Sequence, residues 1–297
     1  MSELEIVLEN NAEIYASSAA KAEKVSLSSD AQKRDLLFYI VTGLFLAYTF
    51  LPMLSVLLFS LAKKWTTTLL PEAWSLNAYI SILNNREFIL SLGRSCVVAS
   101  VSALIGLTVV TLALLGASLK KNKTIVGIME AICIIPVALP GIVLALSCII
   151  FYGRVFPMIL GRPILLIFAE AAFSLPFVFW TMRNTFRGLE IMLMYEAACT
   201  LGAPVDKFIT RILLPNIGKG LLASGVMAFT IALNNFALAQ LLVGAGWKTL
   251  PLFQHTIMRT DGHQTSAIAI VSITLTFILT TIFGVINMKT LSKGLRA

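Results

Sequence analysis

A carboxylate and a pair of amides stand where side chains able to do chemistry are rare. Glu170 lies inside an apolar run, about seven residues beyond Pro163 or ~10 Å along a helix. At that depth a charge must face protein, water or a cation, which makes it a candidate for a translocation path. The alternative is that the run begins later and Glu170 snorkels or pairs with Arg162 or Arg154. Asn234 and Asn235, with Gln240, lie in another apolar run, where amides either tie helices together or line a path. His255, His263 and Asp261 share one polar segment, a weak pattern for a metal. Cys96, Cys133, Cys148 and Cys199 are too few and too scattered for a disulfide framework and read as small apolar residues. Phosphate loops, dinucleotide fingerprints, nucleophile elbows and paired metal-ligand spacings are absent, so the chain is expected not to be an enzyme. Any uphill work must draw on another chain.

The elements that position these residues follow from composition. With 58% hydrophobic and 13% charged residues over 297, and a mean hydropathy of +0.88, the sequence is too apolar for a soluble domain. An all-α polytopic membrane protein is expected, with six spans near 36–62, 94–119, 125–151, 164–182, 217–243 and 267–288. Each exceeds the roughly 17–20 residues needed to cross a bilayer. With the N-terminus inside, 15 of the 23 Lys and Arg fall on the inner side and 8 on the outer, which predicts two cytoplasmic termini. The net charge of +8 is then topology, and no basic surface interleaved with aromatics suggests nucleic acid. Residues 1–35 read as a polar cytoplasmic tail, disordered or forming a short helix, and lack the apolar core of a secretory signal. The permease domain is then 36–297.

Between the fourth and fifth spans lies EAACTLGAPVDKFITRILLP, residues 196–215 of a predicted inner loop, 189–215. Leu, Met, Glu and Ala up to Thr200 favour a helix, and Gly202 can adopt the left-handed conformation that ends one. Pro204 suits the first position of a second helix, with Asp206 in its first turn. That helix is expected to stop by Leu214, because the residue before Pro215 is pushed out of the helical region. Ala197, Ala198 and Gly202 offer little bulk, so a partner's backbone can approach closely. The plain alternative is an amphipathic loop on the membrane surface.

Glu196, Ala197, Ala198, Gly202, Ile212, Leu214 and Pro215 match E-A-A-x3-G-x9-I-x-L-P without a gap. This resembles the coupling loop of permease subunits of bacterial ATP-binding-cassette importers, and the similarity extends from about Asp35 to the C-terminus. The resemblance implies two permeases, identical or related, two cytoplasmic ATPase subunits carrying ATP and Mg, and an extracytoplasmic substrate-binding protein. No cofactor is expected in this chain. It also implies a multi-pass protein of the bacterial inner membrane, with Ala198 and Gly202 as close contacts for the ATPase and Glu196 supplying a charge-assisted hydrogen bond.

Pro136, Pro140 and Gly141 interrupt the third span. The break is either a packing kink or a broken helix lining the path; the family carries a similar P-x3-P-G element. An outer segment with Trp65, Trp74 and Tyr79 reads as a surface helix. This segment and Gly246-Trp247-Lys248-Thr249-Leu250-Pro251 resemble the polyamine and 2-aminoethylphosphonate branch. The resemblance therefore implies phosphonate or polyamine transport first, with ferric iron or thiamine as the alternative. The segment holding His255 and His263 reads as a contact for the binding protein. A secondary transporter would need paired intramembrane acids, of which this reading finds only Glu170. A non-transporting scaffold would leave the broken span unexplained.

Overall fold

The computed structural model describes residues 35–294 except 67, 69, 121 and 122, with side chains described for residues 35–120 and 124–282. The expected N-terminal tail up to residue 34, Lys121 and the last three residues lie outside the described residues, as do the side chains of the basic C-terminal end.

Helix α1, Asp35–Leu61, is long and apolar enough to cross a membrane. Along residues 36–58 its apolar side chains are exposed on nearly every face, the pattern of a helix solvated by lipid. The rest of the described chain, from Phe59, forms its own packed unit. The expected surface helix after α1 is instead a ladder. β1, Ala62–Lys64, pairs antiparallel with β2, Ala73–Trp74. The turn between them is held by side chains, Trp65 Nε1 donating to the Thr68 carbonyl at 2.8 Å and Lys64 pairing with Glu72 at 3.3 Å. Threonines and Pro71 disfavour a helix there, and only α2, Asn77–Leu83, is helical.

Three long helices build the centre: α3, Arg86–Leu119; α6, Pro163–Arg187; and α9, Leu214–Asn234. α3 starts earlier than its apolar run because Asn85 caps it, accepting from the Glu87 amide at 2.9 Å. Lipid offers no hydrophobic gain for packing helices together, so close approach of small residues supplies the contact. Ser91, Ser95, Ala99, Ser102 and Gly106 recur along one buried face of α3. Ser102 Oγ donates across to the Ile167 carbonyl of α6 at 2.9 Å. Where α6 crosses α9, a Cβ on Gly220 would stand 2.7 Å from the Cβ of Thr185, so only glycine fits.

The third expected span is broken at its prolines, and the bounds of the fifth are corrected. Residues 125–151 form no single helix: α4, Lys123–Ala138, and α5, Gly141–Val155, meet at 98°. Pro136 sits in the last turn of α4, and Pro140, at φ −53° and ψ 136°, has left the helical region. Among the described residues five helices are long and apolar enough to span, or six if this bent pair counts as one. Residues 217–243 likewise do not form one helix. The span begins at Val205, runs to Asn234, and breaks at Asn235 before α10, Phe236–Leu242. α11, Leu250–Met258, is tied to α3 where the Leu250 amide donates to Ser95 Oγ at 2.7 Å. α12, Gly262–Gly294, completes the unit.

Candidate functional site

One end of the packed unit carries the predicted loop. α7, Ile191–Thr200, stops in a Schellman turn: the Ala203 amide donates to the Ala198 carbonyl and the Gly202 amide to that of Cys199, both at 2.9 Å. Gly202 takes φ +71°, where a side chain would be strained, yet nothing lies near its missing Cβ. Pro204 is the extended residue before α8, Val205–Lys207, rather than its first helical residue, and Asp206 lies in the first turn.

The second helix does not stop at Leu214. Residues Phe208–Leu213 widen into a π-helix, Leu214 donates to Ile209 five residues back, and the chain continues as α9 with Pro215 in its first turn. Pro215 has no N–H and would clash in a tight α-turn, and the wide turn relieves both problems. Asn216 Nδ2 then donates to the Ile212 carbonyl at 2.7 Å. The loop is therefore the stiff start of a membrane-length helix, about 45 Å long for its 30 residues.

Exposure sorts the motif residues. Glu196, Ala197, Gly202, Leu214 and Pro215 are exposed and Ile212 is half-buried. Ala198 is only 3% exposed: it faces inward in the cluster with Ile191, Phe208, Leu213 and Ile217, and so cannot offer the partner contact expected of it. Its small size lets α7 lie flat on its own bundle. Tyr195 packs edge-on against Phe208, ring centroids 5.1 Å apart. The Tyr195 phenol is raised above its ordinary range, first by its hydrogen bond with Cys199, then by that thiol's charge and by burial. Leu201, at the tip, is 87% exposed, and Val205 beside it is also exposed. Sequence reasoning passed over Leu201; the signal was an apolar residue inside a turn of otherwise small and polar ones.

At the far end of α9 the intramembrane polar groups gather. Glu170, 1% exposed, accepts from Asn235 Nδ2 at 3.1 Å, and neither Arg154 nor Arg162 pairs with it among the described residues. Asn235, at φ −79° and ψ 99°, caps α10 through Oδ1, which accepts from the Leu238 amide at 3.3 Å. The two helix breaks touch, since a Cβ on Gly141 would stand 3.4 Å from that of Ala237. Glu170 thus ties α6 to the break in the fifth span, which packs on the break in the third. Asn234 points elsewhere. It is exposed, donates to the Thr230 carbonyl at 3.0 Å, and lines a groove of about 390 Å³ with Ser272, Thr276 and Thr280 of α12.

A second intramembrane acid was overlooked in the sequence. Glu130 of α4 is ion-paired with Arg183 of α6, whose guanidinium also lies over the Phe179 ring. The depth argument used for Glu170 applies equally to Glu130, seven residues beyond Lys123. The histidines do not converge on Asp261. His263 Nδ1 is 2.8 Å from the Phe59 carbonyl and its ring stacks on Phe59, His255 packs on Phe236, and Asp261 caps α12 by accepting from the Gln264 amide at 3.0 Å.

Residues 109–296 match the family of binding-protein-dependent transport system inner membrane components, and the chain belongs to that family. Among curated relatives, it is 26% identical over 144 residues to the spermidine/putrescine transport system permease protein PotC of Escherichia coli, a match covering 47% of this chain. The matched stretch spans about half of that protein, 52%. It is 25% identical to the probable transport system permease protein NifC of Clostridium pasteurianum, covering 92% of this chain and 96% of that protein. It is 24% identical to the E. coli putrescine permease PotI, covering 73% and 78% respectively. A bacterial alginate ABC transporter, solved in complex with an alginate pentasaccharide-bound periplasmic protein, shares the fold with a TM-score of 0.65 at 16% identity, covering 84% of this chain and 93% of that one.

Proposed function

We propose that this chain is the pore-forming permease subunit of an ATP-driven importer in a bacterial inner membrane, with both termini cytoplasmic. The observation that carries the reading is the stiff knuckle from α7 through Gly202 into α8, presenting Leu201 outward and continuous with the membrane-length α9. A large exposed apolar side chain at a tight, hydrogen-bonded tip asks for a pocket in a partner. Two ATPase subunits, which carry ATP and Mg, seat two such knuckles. ATP-driven closure displaces them, and because the π-turn joins knuckle to span, the displacement reaches the bundle centre as a rigid-body shift.

A second permease, identical or related, faces this one. The groove of Thr230, Asn234, Ser272, Ile273, Thr276, Phe277 and Thr280 supports this, because a concave face with several small side chains lets a helix of another subunit approach closely. The path runs by the paired breaks at Pro136, Pro140 and Gly141 and at Asn234 and Asn235, with Glu170 acting on it through Asn235. A substrate-binding protein delivers cargo at the end opposite the knuckle. The cargo is a small organic ion, a polyamine or 2-aminoethylphosphonate. The names of PotC and PotI support the polyamine, and the outer-loop resemblance supports either.

The test is co-purification. Leu201→Asp should still insert in the membrane but lose at least about nine-tenths of the ATPase subunit bound by the wild type, the effect of a charge in an apolar socket. Equal capture of the ATPase by both forms would contradict the reading.

A further inference from the structure

The end of the packed unit opposite the knuckle holds a cavity that neither the coupling loop nor the helix breaks use. It has a volume of about 280 Å³ and lies between the C-terminal end of α10, the turn Gly244–Trp247 and one face of α11. Into it face Lys248, His255 and Arg259, with the amide of Gln240 and the hydroxyl of Thr256. No carboxylate is among the residues that line it. Neither Lys248 nor Arg259 makes an ion pair among the described residues. The nearby acids are committed elsewhere. Glu87 pairs with Arg94 at 3.1 Å, and Arg94 also donates to the Lys248 carbonyl at 3.3 Å, a neutral pair that holds the Lys248 backbone beside the cavity. Asp261 spends both oxygens on Gln264, accepting from its backbone and side-chain amides.

The framework is fixed around these groups. The ring of His255 rests on Phe236 with centroids 4.8 Å apart, the Leu250 amide anchors α11 to Ser95, and Gly244 at φ +52° turns the chain tightly over the cavity. Two cations without an ion-pair partner among the described residues, a histidine and an amide around one concave space are the donor set for a carboxylate, phosphate or phosphonate, whereas the Thr256 hydroxyl already donates to the Leu252 carbonyl at 2.9 Å. For a polyamine the same set is repulsive.

We propose that the cavity lined by Lys248, His255 and Arg259 is an oxyanion subsite, and that the cargo or ligand entering this end of the permease carries an anionic group. The proposal rests on the importer reading and narrows its cargo, favouring an aminophosphonate over a polyamine. The cavity is open to the outside, and its volume is ample for a small oxyanion. A lipid headgroup phosphate offers the same chemistry as a free phosphonate.

The experiment titrates the complete importer in lipid nanodiscs with inorganic phosphate, 2-aminoethylphosphonate and spermidine by calorimetry. The wild type is compared with Lys248→Gln, Arg259→Gln and the double variant, and with Lys63→Gln as a control for net charge. The wild type and the Lys63 variant should bind both oxyanions and give no spermidine binding, and the double variant should bind the oxyanions at least about tenfold more weakly, as expected from lost charge-assisted hydrogen bonds. Repeating the titration with phosphatidylglycerol in the disc separates the sources: a headgroup occupying the same subsite lowers the apparent phosphate affinity of the wild type and not of the double variant. Equal binding by wild type and double variant, or spermidine binding as tight as phosphate, overturns the proposal. So does an absence of small-oxyanion binding alongside a loss of binding-protein capture in the double variant, since the surface is then a docking face. ATPase retention by Leu201→Asp reports separately on the importer reading, so the two can fail independently.

Discussion

A carboxyl group packed among helices inside a bilayer must be held by something, and Glu170 is held by one amide. The Asn235 side chain donates to it while capping α10, so an acceptor at position 170 helps to orient the residue at the break of the fifth span. Glutamine has an oxygen at the same reach. Glu170→Gln should therefore keep uptake within about twofold of wild type, whereas Glu170→Ala leaves the Asn235 amide unpaired at a cost of ~1–3 kcal/mol and should lower uptake severalfold. Initial uptake rates at saturating and limiting cargo check this. Were Glu170 a charged ligand for cargo, the glutamine variant would fail as badly as the alanine variant. The sequence showed this residue to be exceptional through depth alone. Its partner 65 positions away was out of reach, because side-chain pairing across helices leaves no trace in local periodicity. Ala198 shows the reverse error: small size suggested a partner's close approach, and the same small size serves the chain's own packing.

At the scale of elements, α6 and α9 cross where Gly220 meets Thr185, and knuckle motion must pass through this crossing. A methyl group there would meet Oγ1 of Thr185 first and then its Cβ and Cγ2, both at 2.7 Å, on a β-branched side chain that is stiff at χ1. Gly220→Ala should cost ~1–3 kcal/mol by overpacking. The expected readout is a lower unfolding temperature in detergent, partly restored by Thr185→Ser or Thr185→Ala, and an unrestored or unchanged temperature would argue against a tight crossing. The spans themselves were legible from apolar runs, and Gly202 as a helix stop from its residue type. The joints were less legible. Pro215 read as a terminator because a proline normally excludes a preceding α-helical residue, yet a π-turn lets the helix pass. The 98° bend at Pro140 was visible as a break but not as an angle, which depends on what α5 packs against.

For the molecule as a whole, a stiff tip at one end, a bundle of small-residue contacts in the middle and paired helix breaks toward the other end form one mechanical train. In the proposed importer the train is driven by the ATPase subunits through the knuckle. The chain belongs to the family of binding-protein-dependent transport system inner membrane components and shares the fold of the alginate transporter chain. The most direct measurement is ATP hydrolysis and cargo uptake together, in proteoliposomes holding the complete importer with wild-type or Gly202→Asp permease. Gly202 is open around its missing Cβ but sits at φ +71°, so aspartate strains and charges the tip without touching the bundle. The account predicts that the variant inserts normally, that any remaining ATP hydrolysis no longer responds to loaded binding protein, and that uptake falls by at least about tenfold, a loss of roughly 1.4 kcal/mol or more in coupling. Wild-type uptake with wild-type stimulation of hydrolysis would contradict it.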